Sequence, residues 1–196
     1  MKKAILTIIL ISCICYMVNA QQISDKKTKE QTTETKKQKK EREKRLNALI
    51  DSINFNNAKI GLNEQNFVLE AERVTFKNGV SVHTQSNTNF ISVSNGKAMV
   101  QLAFAQGGRM GYNGLGGITV EGNASNIKYK TDKRGNITMT MSVIGIAISA
   151  NVRITLIKDS NQAMATVEPN FNSYSLTVYG LLVPNQLSSI YKAMPL

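Results

Sequence analysis

Two periods of apolar residues divide the chain. Leu46, Leu49, Ile50 and Ile53 recur at helical spacing, and Phe55, Ala58 and Leu62 repeat that spacing on a rotated face. The pattern predicts a helical segment over 38–63, with a stripe to lay on a core and a kink near Asn54 to Asn57 that reconciles the two faces. From Asn66 the period falls to two. Phe67, Leu69 and Ala71 alternate with Glu70 and Glu72, and Val100, Leu102 and Phe104 alternate with Gln101 and Ala103. The longest run, Ile144, Ile146, Ile148, Ala150, Val152, Ile154 and Leu156, is interleaved with Gly145, Ser149, Asn151, Arg153 and Thr155. It reads as one strand bent at or near Gly145. One buried and one wet face is the pattern of an antiparallel sheet, which assigns Glu70, Glu72 and Gln101 to water.

Turn chemistry agrees with antiparallel neighbours. Lys77-Asn78-Gly79-Val80 and Ser94-Asn95-Gly96-Lys97 carry the Asn-Gly pair of two-residue hairpins, and Asp132 to Gly135 and Asp159 to Asn161 add tight reversals. After Pro184, the spacing of Leu187, Ile190, Tyr191 and Met194 predicts a short C-terminal helix. The fold class is therefore mainly β. An antiparallel meander of about ten strands over 64–196 forms a barrel or a strongly curved sheet, flanked by the two helices.

The first residues change where this domain is expected to work. MKKAILTIILISCICYMVNA places two lysines before an apolar run and small residues before Gln21, the layout of a signal peptide over 1–20 cleaved between Ala20 and Gln21. Leu10-Ile11-Ser12-Cys13 resembles a lipobox, but the chain stays apolar after Cys13, so simple export to periplasm or medium is favoured over a lipoprotein. The apolar run is shorter than the ~20 residues needed to span a bilayer, and the mature chain is expected to have no transmembrane segment. Both cysteines, Cys13 and Cys15, leave with the leader, and disulfides and thiolate chemistry leave with them.

Charge is uneven. The net +11 resolves into +2 in the leader, +5 over 21–45 and +4 over 46–196. Residues 21–37 read as a disordered basic tether. Acidic residues interrupt its charge, it has no aromatic for base stacking and it follows an export signal, so nucleic acid is not an expected partner.

The domain holds few chemical signals. Residues 106–117, QGGRMGYNGLGG, would suggest a phosphate cradle, but they run into Ile118-Thr119-Val120-Glu121, a strand, and lack the Lys-Ser or Lys-Thr of a P-loop. They are read as a wide hairpin in which Arg109, Tyr112 and Asn113 are the side chains available to a ligand or partner. His83 is the single histidine, which with no cysteine disfavours zinc; no metal or cofactor is expected. No catalytic residue is assigned. Of the carboxylates, Asp132 and Asp159 serve turns, Glu70 and Glu72 face water, and Glu121 lies beside the glycine loop.

Three segments carry a resemblance: NFVLEAERV from Asn66, GGITVEGNASNIKYKTDKRGNITMTMSV from Gly116, and VEPNFNSYSLTVYGLLVP from Val167. Together they resemble a family of unknown function found in secreted Bacteroidota proteins, from about Phe55 to the C-terminus. The resemblance implies an exported bacterial protein and brings no activity with it. The expectation is a non-enzymatic cell-envelope protein that binds a small apolar ligand or an envelope partner. The alternative is a carboxylate-dependent hydrolase of an envelope glycan or similar substrate, built on Glu121. Whether the barrel interior is open or filled stays undecided at this level.

Overall fold

The computed structural model describes residues 36–103, 117–145, 149–170 and 175–191. Contacts divide the chain into two compact units, Met1–Ala48 and Leu49–Leu196. Helix α1 runs from Lys36 to Asn63 with no break near Asn54. Nine strands follow among the described residues: β1 (Phe67–Phe76), β2 (Ser81–His83), β3 (Phe90–Ser94), β4 (Lys97–Ala103), β5 (Gly117–Thr131), β6 (Ile137–Ile144), β7 (Ser149–Leu156), β8 (Gln162–Pro169) and β9 (Leu176–Pro184).

All pairings are antiparallel. Strands β3 to β9 pair in sequence order, β1 joins β3 on one edge and β9 on the other, and the sheet closes into an eight-stranded barrel. The short β2 pairs with the far half of β1 as an added ninth strand. Closure is the outcome an eight-strand sheet reaches when its interior is just wide enough for side chains to fill it. Inward positions supply them. Met139, Met141 and Val143 of β6, Ala150, Val152 and Ile154 of β7, and Ala163, Ala165 and Val167 of β8 are buried in alternation with exposed or half-buried neighbours. With Phe67, Leu69, Ile91, Val100 and Leu182 they belong to one contiguous apolar cluster.

Ala58 and Leu62 of α1 belong to the same cluster, with Phe55 packed against it. The Tyr129 hydroxyl donates to the Leu62 carbonyl at 2.9 Å, satisfying one of the acceptors left open at a helix C-terminus. Burial pushes the Tyr129 phenol above its ordinary range. The predicted core stripe faces the other way: Leu46, Leu49, Ile50 and Ile53 are each at least 44% exposed. Periodicity identified an amphipathic helix, and the rotated set, rather than the longer one, meets the barrel.

Three more sequence readings change. The run Ile144 to Leu156 is no single strand; β6 ends at Ile144 and reverses, and Ile144 pairs with Ser149. The Ser94-Asn95-Gly96-Lys97 hairpin has the predicted two left-handed residues, Asn95 (φ 52) and Gly96 (φ 74). The turn at Asn78-Gly79 has one, Gly79 (φ 85), and the Phe76 carbonyl accepts from the Gly79 amide at 2.9 Å, the signature of a three-residue loop with a bulge. Finally, a single 3-10 turn, Asn185–Leu187, stands where a short C-terminal helix is predicted; Met194 lies outside the described residues.

That turn starts a segment that crosses the outside of the barrel. The Ser188 hydroxyl donates to Glu70 at 2.6 Å, the Tyr191 amide donates to the Asn87 carbonyl at 2.8 Å, and Gln101 Nε2 donates to the carbonyls of Thr88 (3.0 Å) and Tyr191 (2.8 Å). Val68, Phe90 and Met99 form a second apolar cluster with Val183 and Ile190 packed against it. Gln101 is fully buried and Glu70 half-buried, so neither faces water as the alternation implied.

Candidate binding groove on the outer face

Around β5 to β8 the outward positions remain uncovered. Register places them in rows. Ser125, Ser142, Asn151 and Glu168 form one row; Lys128, Thr140, Arg153 and Thr166 form the next. All of these residues but Ser125 line an open concavity of about 570 Å³, together with Asn126, Met141 and Val152.

Its depth has a local cause. Between Ser125 and Lys128 strand β5 carries one residue more than β6, and Asn126 takes up the bulge in a left-handed conformation (φ 53). A bulge bends its strand and steepens the local twist, and asparagine adopts this backbone more readily than most residues. Asn126 and Lys128 thereby line one side of the groove, while Thr166 and Glu168 line the other.

The chemistry is that of a recognition surface. Ser142 Oγ donates to Asn151 Oδ1 at 3.1 Å, which leaves the Asn151 amide nitrogen to donate outward. Lys128 and Arg153 flank Thr140 on adjacent strands, about 10 Å apart across two strand spacings. Among the described residues no ion pair engages Lys128, Arg153 or Glu168, whereas Lys97 pairs with Glu121 (3.6 Å) and Lys158 with Asp159 (3.7 Å). Lys128 and Arg153, neither of them ion-paired, outnumber the single carboxylate of Glu168 in the groove, and beside a row of hydroxyl and amide groups they can hold an anionic, hydrogen-bonding ligand.

The residues singled out in the sequence lie elsewhere. Arg109, Tyr112 and Asn113 lie outside the described residues. What flanks them is settled: Ala103 pairs with Gly117, so the glycine-rich segment joins two antiparallel strands. His83 is exposed on β2, paired with Arg73, whose guanidinium stacks over the Tyr179 ring at 4.2 Å. Glu121 stands on β5 opposite Met99, and its carboxylate pairs with Lys97, diagonal to it across the ladder. Cross-strand register brings no second carboxylate beside it. Asp132 does what a turn aspartate does: its carboxylate accepts from the Arg134 and Asn136 amides (2.8 and 2.9 Å) and from the Asn136 side chain (2.8 Å). The Asn136 side-chain bond, with these backbone bonds, holds its carboxyl below the usual carboxylate range.

The strands that build the barrel and the groove are also what relates this chain to others. The family model of DUF4251, a domain of unknown function, matches residues 50–182, two thirds of the chain and all nine strands but the end of β9. The chain belongs to the DUF4251 family. A crystal structure of a DUF4251 family protein from Bacteroides eggerthii is similar to it, at 45% identity and a TM-score of 0.63, over 72% of this chain and 94% of that one. No curated protein matches. The DUF4251 match agrees with the resemblance seen in the sequence and carries no activity; the groove residues are this chain's own chemistry. Sequence reasoning passed over them because each is an ordinary wet-face residue. The available signal was the outward set of β6 and β7, Thr140, Ser142, Asn151 and Arg153, which contains no large apolar side chain.

Proposed function

We propose that this DUF4251 protein is an exported, non-enzymatic binding domain of the cell envelope that holds an anionic polar partner, such as an acidic glycan, in the groove between β5 and β8. The observation that carries the reading is the pair Lys128 and Arg153, unpaired beside hydroxyl and amide donors on a concave face. The continuous apolar cluster within the barrel supports a partner outside in preference to an apolar ligand inside. Export is supported by the leader pattern of residues 1–20. No observation favours the hydrolase, since Glu121 is engaged by Lys97.

Calorimetric titration with oligogalacturonate, a carboxylate-bearing glycan, against neutral dextran tests it. Oligogalacturonate is expected to bind and dextran not. A Lys128→Glu, Arg153→Glu double variant is expected to lose about a hundredfold in affinity, at about 1.4 kcal/mol per factor of ten and 1.5–3 kcal/mol for a hydrogen bond to a charged group. Equal affinity of wild type and double variant sinks the groove. An apolar molecule retained by the wild type in native mass spectrometry returns the site to the interior.

A further inference from the structure

Helix α1 has an apolar face that the barrel does not cover. Leu49, Ile50, Ile53 and Ile60 are 58, 44, 50 and 51% exposed. At 100° per residue they fall within an arc of about 100°, on the side opposite Phe55, Ala58 and Leu62, and extend about 17 Å along the axis. Scattered surface leucines need no explanation, but four large aliphatic side chains on one helical stripe do.

The sequence just before the stripe indicates what covers it. Residues 36–45, KKQKKEREKR, hold seven basic and two acidic side chains. They also oppose the helix dipole: the first turn has no acidic residue, and lysines crowd the end where backbone N–H groups already concentrate positive charge. Such a placement costs the helix stability unless an external anion neutralises it. A basic segment continuous with a narrow aliphatic stripe is the composition of helices that lie in the interfacial plane of a bilayer, apolar face down and cations among anionic headgroups.

We infer that α1 is a membrane-surface helix that docks the domain on an anionic lipid bilayer through Leu49, Ile50, Ile53 and Ile60. A second copy of the chain, packing stripe to stripe, is the competing occupant. It fits less well, because it would leave the lysine-rich turn without counter-charge. This inference does not depend on the groove or on export, since the contact is between the folded chain and lipid.

Vesicle flotation tests it, using the chain from Gln21, which keeps every described residue and removes the apolar leader that would itself bind lipid. The probes are phosphatidylcholine vesicles with and without about 30% phosphatidylglycerol. Expected are binding at least about tenfold stronger to the anionic vesicles, its loss at high salt, and its loss in an Ile50→Asp, Ile53→Asp variant. A Lys39→Glu, Lys40→Glu variant is expected to lose selectivity for anionic lipid with no fall in melting temperature, since it relieves the opposition to the helix dipole. Without lipid, light scattering is expected to show a monomer. Failure to float with anionic vesicles overturns the inference, as does undiminished binding by the Ile50→Asp, Ile53→Asp variant. A dimer dissolved by that same variant overturns it in favour of a second copy.

Discussion

Replacing Gly180 by alanine is expected to open the barrel at its seam. Gly180 lies where β9 meets β1, paired with Ala71 at the point where the register shifts before Arg73. A Cβ added there would overlap the Glu70 carbonyl oxygen and sit 2.8 Å from its carbon and 3.0 Å from Ala71 Cα, all backbone atoms that no rotamer change can move. Overpacking against fixed atoms costs about 1–3 kcal/mol, and displacing β1 loses one or two ladder hydrogen bonds at about 1 kcal/mol each. The sum is about 2–5 kcal/mol, and a domain of this size loses roughly 3 °C per kcal/mol, so melting should fall by about 6–15 °C. Gly79→Ala is the control. Unlike Gly180 it has a positive φ (85°), but nothing lies within 4 Å of the new Cβ, so only the conformational cost of about 1–2 kcal/mol applies. Thermal unfolding followed by far-ultraviolet circular dichroism measures both. If Gly180→Ala melts no lower than Gly79→Ala, the close approach at the seam is not what holds the barrel shut.

Two further outcomes follow from the polar contacts. Gln101→Leu removes the donor to the Thr88 and Tyr191 carbonyls and should cost about 1–3 kcal/mol. Amide hydrogen exchange should then quicken at Tyr191, whose amide bonds the Asn87 carbonyl, while β6 and β7 keep their protection. Asp132→Ala should lower the melting temperature at neutral pH, and the gap to wild type should depend on acid. The folded pKa of Asp132 lies below its usual 3.8, so its contribution is present above that value and is lost as pH falls through the folded pKa. Melting curves of both proteins should converge at the acid end, and a gap that persists there would assign the effect to something other than the carboxylate.

Local order in this fold was legible and long-range order was not. Alternation named Phe67, Leu69 and Ala71 of β1 and Ala150, Val152, Ile154 and Leu156 of β7 as buried, because a period of two on a half-wet strand follows from pleat geometry alone. Asn95-Gly96 declared its hairpin because few residues tolerate that backbone. Ile144 to Leu156 misled, because alternation continues across the reversal between β6 and β7, and Gly145 reads equally well as a bend within one strand. Gln101 misled for another reason: a remote segment, Asn185 to Tyr191, covers the outer face of β4. In α1 the sequence offers two apolar faces, and which one meets the barrel depends on a surface built by residues far along the chain. The groove depends on cross-strand register from β5 to β8, a property of pairs that no single strand displays.

The pairing of β1 with β9 has a consequence in time. The barrel's first strand gains the neighbour on its second edge only when the last strand exists, and the Ser188 and Tyr191 contacts come later still. A chain emerging N-terminus first, whether from a ribosome or across a membrane, therefore carries β1 with an unpaired edge until some hundred residues have followed. Such non-local closure is slow and leaves sticky edges exposed meanwhile. Folding of this domain is thus a terminal event, completed once rather than built up along the way, and a chain that stops short of β9 has no smaller barrel to settle into.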